Sequence, residues 1–310
     1  MNRRTKIFAD NTGTPIVPIK SPMNYIGGKF RILPQLLPLF PERMNRFVDL
    51  FAGGCNVGIN VGGADTVICN DNICYLIDLY NEFRNNRPEQ ILSYIEQTIR
   101  RYELSRSNRD GYLALRETYN TIRQPLDLFI LVAYAFNHQI RYNGQHKFTT
   151  PFGKDRSSYN TSMQSNLVAF LDKIHSAAIE FSCYDFEAFD FEALDCDDFV
   201  YCDPPYLITT GSYNDGKRGF KGWSMREETA LLDILERLDR RGIRFALSNV
   251  LTHKGKRNTI LEQWIDNHGF VIHPIASSYA NSSYHTTDRT PHASMEIVVT
   301  NYTKDEIHRQ

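Results

Sequence analysis

Asp203-Pro204-Pro205-Tyr206 is the tetrapeptide in this 310-residue chain whose residue types and order say most about chemistry. Asp203 offers a carboxylate, and the carbonyl of Pro204 offers a second acceptor beside it. Two consecutive prolines hold φ at about −65° and remove two amide donors, so that carbonyl is presented on a stiff backbone. Such a pair suits an amine conjugated to an aromatic ring, as at N6 of adenine. The lone pair of that nitrogen is delocalised, and two acceptors let it become more tetrahedral and attack a methyl donor. Tyr206 adds a face on which a base taken out of a duplex can stack. Taken alone, the same residues also make a Pro-Pro turn capped by an acid.

Other segments carry candidate ligand chemistry. Val48-Asp49-Leu50-Phe51 is an apolar run that ends in Ala52-Gly53-Gly54, a strand feeding a tight loop whose glycines let a ligand approach the backbone closely. Its spacing is not that of a dinucleotide fingerprint. Asp71 follows a second strand-like run, Thr66 to Asn70, about twenty residues on, where nucleoside-binding α/β folds place the acid that accepts ribose hydroxyls. A lone Asp there would otherwise cap a helix. Tyr25-Ile26-Gly27-Gly28-Lys29 is not a phosphate loop, because Met23 and Phe30 stand where that motif needs Gly and Ser or Thr. Asp185-Phe186 follows a strand ending near Cys183, within a stretch from 183 to 205 that holds eight acids and no base.

The frame for these residues is legible in the hydropathy pattern. Strand-like runs at Phe47 to Phe51, Thr66 to Asp71, Ile179 to Cys183, Phe199 to Cys202, Ile243 to Ser248 and Phe270 to Ile275 are mostly separated by helical periodicity, as over Met225 to Arg240. This alternation predicts a mostly parallel, doubly wound α/β sheet. Met295 to Val299 would add an antiparallel strand. Between Asp71 and Ile179 the rhythm breaks into helical segments (Pro88 to Leu104, Asp110 to Ile122, Pro125 to Ile140), read as a helical module inserted over residues 83–165. The catalytic parts would then be 1–82 and 166–310. Within the module, Arg141-Tyr142-Asn143-Gly144-Gln145-His146-Lys147-Phe148 signals a β-hairpin. Residues 141–156 carry Arg141, Lys147, Lys154 and Arg156 against Asp155, a local charge of +3, with Tyr142, Phe148 and Phe152 interleaved. That mixture suits phosphate contact and base stacking, and a solvated hairpin would look the same. Gly211 to Trp223, Gly-rich, aromatic and basic, reads as a lid following the catalytic residues.

Lys and Arg number 35 against 36 Asp and Glu, a net charge of −1, so any nucleic-acid face must be local. The six cysteines form no CxxC pair and read as buried thiols in a reducing cytosol. The nine histidines form no HxxxH or HxxH pair with acidic partners, so no metal site is expected. No run of about 18 apolar residues and no secretory core at Met1-Asn2-Arg3-Arg4-Thr5-Lys6 argues for a cytoplasmic protein away from membranes.

In order, Tyr25-Ile26-Gly27-Gly28-Lys29, Phe51-Ala52-Gly53-Gly54-Cys55, Asn70-Asp71, the helical insertion and Asp203 to Tyr206 resemble the Dam-type, D12 class DNA adenine-N6 methyltransferases over about residues 21 to 300. The resemblance implies a Rossmann-like S-adenosylmethionine-dependent methyltransferase fold with an inserted target-recognition domain. It also implies methyl transfer to N6 of a flipped-out adenine in double-stranded DNA, with GATC the family's commonest target. Asp203, Pro204, Pro205 and Tyr206 would be catalytic. Tyr25, Lys29, Asp49, Phe51, Ala52, Gly53, Asp71, Asp185, Phe186 and Asp203 would surround the cofactor. Arg141, Tyr142, Asn143, Lys147, Phe148, Pro151, Phe152 and Lys154 would face DNA. Cys55 stands where the second loop glycine is usual, with Gly54 beside it to supply the freedom. A cognate restriction endonuclease is an expected partner. An RNA or cytosine-N4 methyltransferase on the same fold, or a DNA-binding relative without activity, remain the competing readings.

Overall fold

The computed structural model describes residues 8–9, 15–23, 27–209, 222–276 and 294–307. Tyr25 and most of the 207–223 lid therefore lie outside the described residues. Seven strands build the main sheet: β1 (Met44–Asp49), β2 (Ala64–Asn70), β3 (Ile179–Ser182), β4 (Phe199–Cys202), β5 (Arg244–His253), β6 (Val271–Ile275) and β7 (Ser294–Thr300). Their order across the sheet is β3-β2-β1-β4-β5-β7-β6, with the two-residue strand Lys256–Arg257 hairpinned onto β5. β1 to β5 pair in parallel, and β7 runs antiparallel between β5 and β6. This is the doubly wound, Rossmann-like sheet that the alternation of elements predicts, including its antiparallel last strand.

Successive strand residues feed opposite faces, because side chains alternate along a strand. Phe47, Tyr201, Ala246 and Val298 join a buried cluster with helices α1 (Cys74–Asn85), α4 (Pro125–Tyr134) and α5 (Thr161–Ser176). Val48, Val200, Phe245, Leu247, Ile297 and Val299 join the other, against α6 (Met225–Arg240) and α7 (Thr259–His268). Two further helices, α2 (Pro88–Arg101) and α3 (Arg109–Ile122), fall in the expected helical stretch and share the first of these clusters. Local signals set their ends: Asn108 caps α3 by accepting from Gly111, and Ser224 opens α6 with a capping box to Glu227.

Two expectations are corrected. The helix read from Pro125 to Ile140 stops at Tyr134, after which Asn137 and His138 turn into left-handed backbone at φ 54° and 52°. Nor are all the cysteines buried thiols. Cys74 and Cys183 form a disulfide across 109 residues, with Cα atoms 5.3 Å apart, while Cys196 is exposed and only Cys55, Cys69 and Cys202 are buried and free. The physical reason is topological: β2 and β3 are parallel neighbours, so the segments leaving their carboxyl ends emerge side by side, which spacing in the sequence does not reveal.

Candidate active site

Because β1 to β4 are parallel, the segments after them all leave one edge of the sheet, where open α/β folds bind ligands. The glycine loop after β1, Asp71 after β2, Asp185 after β3 and Asp203 after β4 are thereby brought to a common edge.

The glycine loop is held from several directions. Gly53 takes φ 48°, and Cys55 itself adopts φ 57°, so the left-handed turn expected of a second glycine is made by the cysteine and not supplied by Gly54. A non-glycine residue there costs about 1–2 kcal/mol. The Cys55 thiol packs 3.0 Å from the sulfur of Cys69 on β2. Gly58 can be nothing larger, since a Cβ would lie 2.5 Å from that same sulfur. Its N–H donates to Oδ2 of Asp49 at 3.0 Å, so this buried acid is engaged by the loop itself. Burial, against the opposing Gly58 N–H, pushes the Asp49 carboxyl up to about 8, and the charges of Asp203 and Asp71 add to the rise.

Asp71 is 7% exposed and accepts twice: Gly53 N–H donates to Oδ2 at 2.8 Å and Ile73 N–H to Oδ1 at 2.9 Å. It thus ties the glycine loop to the start of α1, and each oxygen keeps a second lone pair for a ligand hydroxyl. Asn70, beside it, donates to the carbonyls of Leu50 and Tyr184 and accepts from Ser182 and Tyr184, locking three strand ends together. Asp185 accepts from Glu187 N–H and so caps a short helical turn. Phe186, buried, stands 5.6 Å from Phe51 and 5.4 Å from Trp223 in an aromatic wall.

At the end of β4 the charged groups converge. Lys29, 5% exposed, places Nζ 2.7 Å from Oδ1 of Asp203, donates to the Gly27 carbonyl at 3.2 Å, and lies 5.1 Å from the centre of the Tyr206 ring. The Tyr206 hydroxyl reaches the same Oδ1 at 3.1 Å. Both donors thus occupy one oxygen, and no described group bonds Oδ2, although the Asp203 side chain keeps 18% of its exposure. Burial pushes the Asp203 carboxyl up while Lys29 and Tyr206 oppose the rise. Pro204 is buried and Pro205 half-buried, which fixes the backbone that carries the carbonyl.

Residues 141–149 form the expected hairpin, with a different turn. Tyr142 pairs with Phe148, and the loop runs over Gly144-Gln145-His146 with His146 left-handed at φ 58°, closed by Asn143 accepting from His146, Gln145 and Lys147. Tyr142 and Phe148 are corrections to the DNA face: both are interior, 3% and 0% exposed. Tyr142 stacks on Tyr75 at 4.6 Å and bonds the Tyr119 hydroxyl at 2.6 Å, while both backbone groups of Phe148 pair with Asn120. A half-buried surface with α3 behind it needs aromatic anchors, and these two supply them. Lys147, Pro151 and Lys154 are exposed; Arg141, Asn143 and Phe152 are half-buried, with Arg141 bonded to Gln139 and Phe152 against Tyr112 at 5.4 Å. Because Tyr75 lies in the first turn of α1, just beyond Asp71, the hairpin is anchored next to the carboxyl-end edge of the sheet.

Two groups escaped the sequence reading: Glu296 on β7, and Glu228, which accepts at 2.7 Å from Trp223, the last residue of the segment read as a lid, and from Asn249 and Asn258. A lone acid in the apolar run Met295 to Val299 was the one available signal.

The family model of D12 class N6 adenine-specific DNA methyltransferases matches residues 25–281. The chain belongs to this family. Among similar proteins, the type II methyltransferase M.FokI of Planomicrobium okeanokoites is 47% identical over 92% of this chain and 43% of its own length. Modification methylase StsI of Streptococcus sanguinis is 44% identical over 92% and 43%. A DNA adenine methylase of Haemophilus influenzae is 28% identical over 70% of this chain and 74% of its own. The chain thus spans about two fifths of M.FokI and StsI. Membership agrees with the doubly wound sheet and its antiparallel last strand.

Proposed function

We propose that the chain transfers a methyl group from S-adenosylmethionine to the exocyclic N6 of an adenine held outside a DNA duplex. The observation that carries the reading is Asp203: stiffened by two prolines, with Lys29 and Tyr206 gathered on Oδ1 and Oδ2 open to an incoming amine. The residues present fit the cofactor. The glycine loop brings bare backbone to the edge, Asp71 retains acceptor capacity, Phe51, Phe186 and Trp223 form an apolar wall, and the carboxylates of Asp71 and Asp203 favour a cationic ligand. When bound, S-adenosylmethionine supplies an electrophilic methyl on a sulfonium.

In the step itself, Oδ2 of Asp203 and the Pro204 carbonyl accept from the N6 amine, raising its nucleophilicity, and Tyr206 supports the ring. Asp203 then takes the proton that the methylated nitrogen must lose. Residues 83–165 would act as the target-recognition part, with the exposed Lys147 and Lys154 on phosphates and Arg141 toward bases. DNA as substrate would place the enzyme in the cytoplasm. The names of M.FokI and StsI support a modification role beside a cognate restriction endonuclease.

The test is to incubate the chain with labelled S-adenosylmethionine and DNA, and to map the product base and its flanking sequence, GATC or another. N6-methyladenine in duplex DNA is expected. Methylated RNA or N4-methylcytosine would replace the substrate assignment. Asp203→Ala should lower the single-turnover rate by about three orders of magnitude or more with DNA binding retained. A variant within about tenfold of wild type would remove Asp203 from catalysis.

A further inference from the structure

Glu296 enters the site from β7, separated from β4 by β5. On β7 the register against β5 slips between Met295, opposite Thr252, and Glu296, opposite Val250. Bulges of this kind re-aim a side chain and gather beside active sites. The Glu296 side chain is 1% exposed. Its Oε1 lies 3.2 Å from the Tyr206 hydroxyl and 3.7 Å from Lys29 Nζ, and its Oε2 is buried with no described partner. A half-satisfied buried carboxylate is costly, and an apolar residue in this strand would avoid the cost.

The donors are fewer than the acceptors. The Tyr206 hydroxyl has one proton and two carboxylates in reach, Asp203 at 3.1 Å and Glu296 at 3.2 Å. Among the described residues Lys29 is the ammonium shared by the same two acids, at 2.7 and 3.7 Å. Glu296 therefore competes with Asp203 for both groups and holds them on one side of it. We propose that Glu296 is a positioning residue for the methyl-transfer site: it keeps Lys29 and Tyr206 gathered at Oδ1 of Asp203, so that Oδ2 stays turned to the substrate amine and its charge is not fully neutralised. The inference rests on methyl transfer at Asp203.

The charge of Glu296 also has a directional consequence. Among the described residues, those that face Asp203 are Lys29 and Tyr206, which favour its ionised form, and Glu296, which disfavours it, with Asp49 on β1 and Tyr201 and Cys202 on β4 also within its electrostatic reach. Removing the Glu296 charge makes Asp203 easier to ionise. The acid limb of the pH–rate profile should then move to lower pH, which loss of packing alone would not cause.

The experiment compares wild type, Glu296→Gln and Glu296→Asp in single-turnover methylation of duplex DNA across pH, with S-adenosylmethionine affinity measured by calorimetry. The glutamine variant should lose about tenfold or more in rate, keep its cofactor affinity within about threefold, and show its acid limb at lower pH. The aspartate variant keeps the charge but lacks a methylene of reach, so its limb should stay with wild type while its rate falls. A glutamine variant with wild-type rate and limb overturns the proposal, as does a loss confined to cofactor affinity or thermal stability. Should the glutamine variant not fold, the aspartate variant decides: reduced rate with an unmoved limb supports the role, and a wild-type rate overturns it. A wild type that methylates no DNA overturns the functional reading as well, which separates the two failures.

Discussion

Asp71 shows how one side chain can serve structure and ligand together. Its two oxygens hold Gly53 and Ile73 by their N–H groups, which satisfies a cap, yet each oxygen can accept again. The alternatives of helix cap and ribose ligand are therefore compatible in one geometry. Replacing Asp71 with Ala should weaken S-adenosylmethionine by about 1–3 kcal/mol, because two ligand hydroxyls lose their acceptor in a buried place. Calorimetry on the folded variant checks this, and unchanged affinity would leave Asp71 as a cap alone. Cys55 makes a related point: the loop keeps its left-handed turn with a side chain present, since Cys69 packs against the sulfur and holds the strained residue in place.

The hairpin is the element whose placement changed most on going from pattern to structure. Arg123 braces it from α3, donating to the His146 carbonyl at 2.7 Å while its guanidinium lies 4.9 Å from the Tyr75 ring centre. Tyr142 and Phe148 are consumed by this attachment, and what remains toward solvent is polar, with Lys147 and, beyond the hairpin, Lys154 and Arg156 as the exposed cations. Arg141→Ala should therefore relax discrimination at one base pair by about 1–3 kcal/mol, because a guanidinium fork matches the guanine edge. Lys147→Ala should weaken all sequences alike and reduce the salt slope by about one ion. Binding titrations with cognate and singly substituted duplexes over a range of salt separate the two. Equal losses on every duplex for Arg141→Ala would make the hairpin a positioning device and move base reading elsewhere.

Across the whole molecule, the carboxyl edge of the sheet concentrates acids whose ionisation burial opposes: Asp49, Asp71 and Asp203 are all pushed up. For Asp49 the folded value of about 8 lies above the ordinary 3.8, so between those values the folded chain holds a proton that the unfolded chain has lost. Its contribution is complete below the unfolded value and is lost as pH rises through the folded one, at up to about 1.4 kcal/mol per pH unit. Asp49→Asn, similar in shape and still able to accept from Gly58, should lose less stability between pH 5 and pH 8 than wild type does. Urea unfolding at the two pH values measures the difference. Identical losses would mean that Asp49 is ionised and paired throughout.

The sequence by itself determined the sheet's strands, the helical character of much of residues 83–165 and the Asp203 tetrapeptide, because hydropathy period, caps and prolines act over a few residues and need no partner far along the chain. Family membership was legible for the same reason, in short ordered motifs. Only the tertiary structure decided which long-range neighbours meet. Lys29, in the helical turn Lys29–Arg31, reaches Asp203 after β4 and Glu296 on β7, residues 174 and 267 positions further along the chain. Cys74 meets Cys183 because parallel neighbours release their loops side by side. Tyr142 and Phe148 turned inward because the hairpin is anchored on α3 and α1, and burying two rings outweighs leaving them exposed for a ligand. Burial is set by packing between distant segments, and no local pattern encodes which face of a short hairpin that packing will claim.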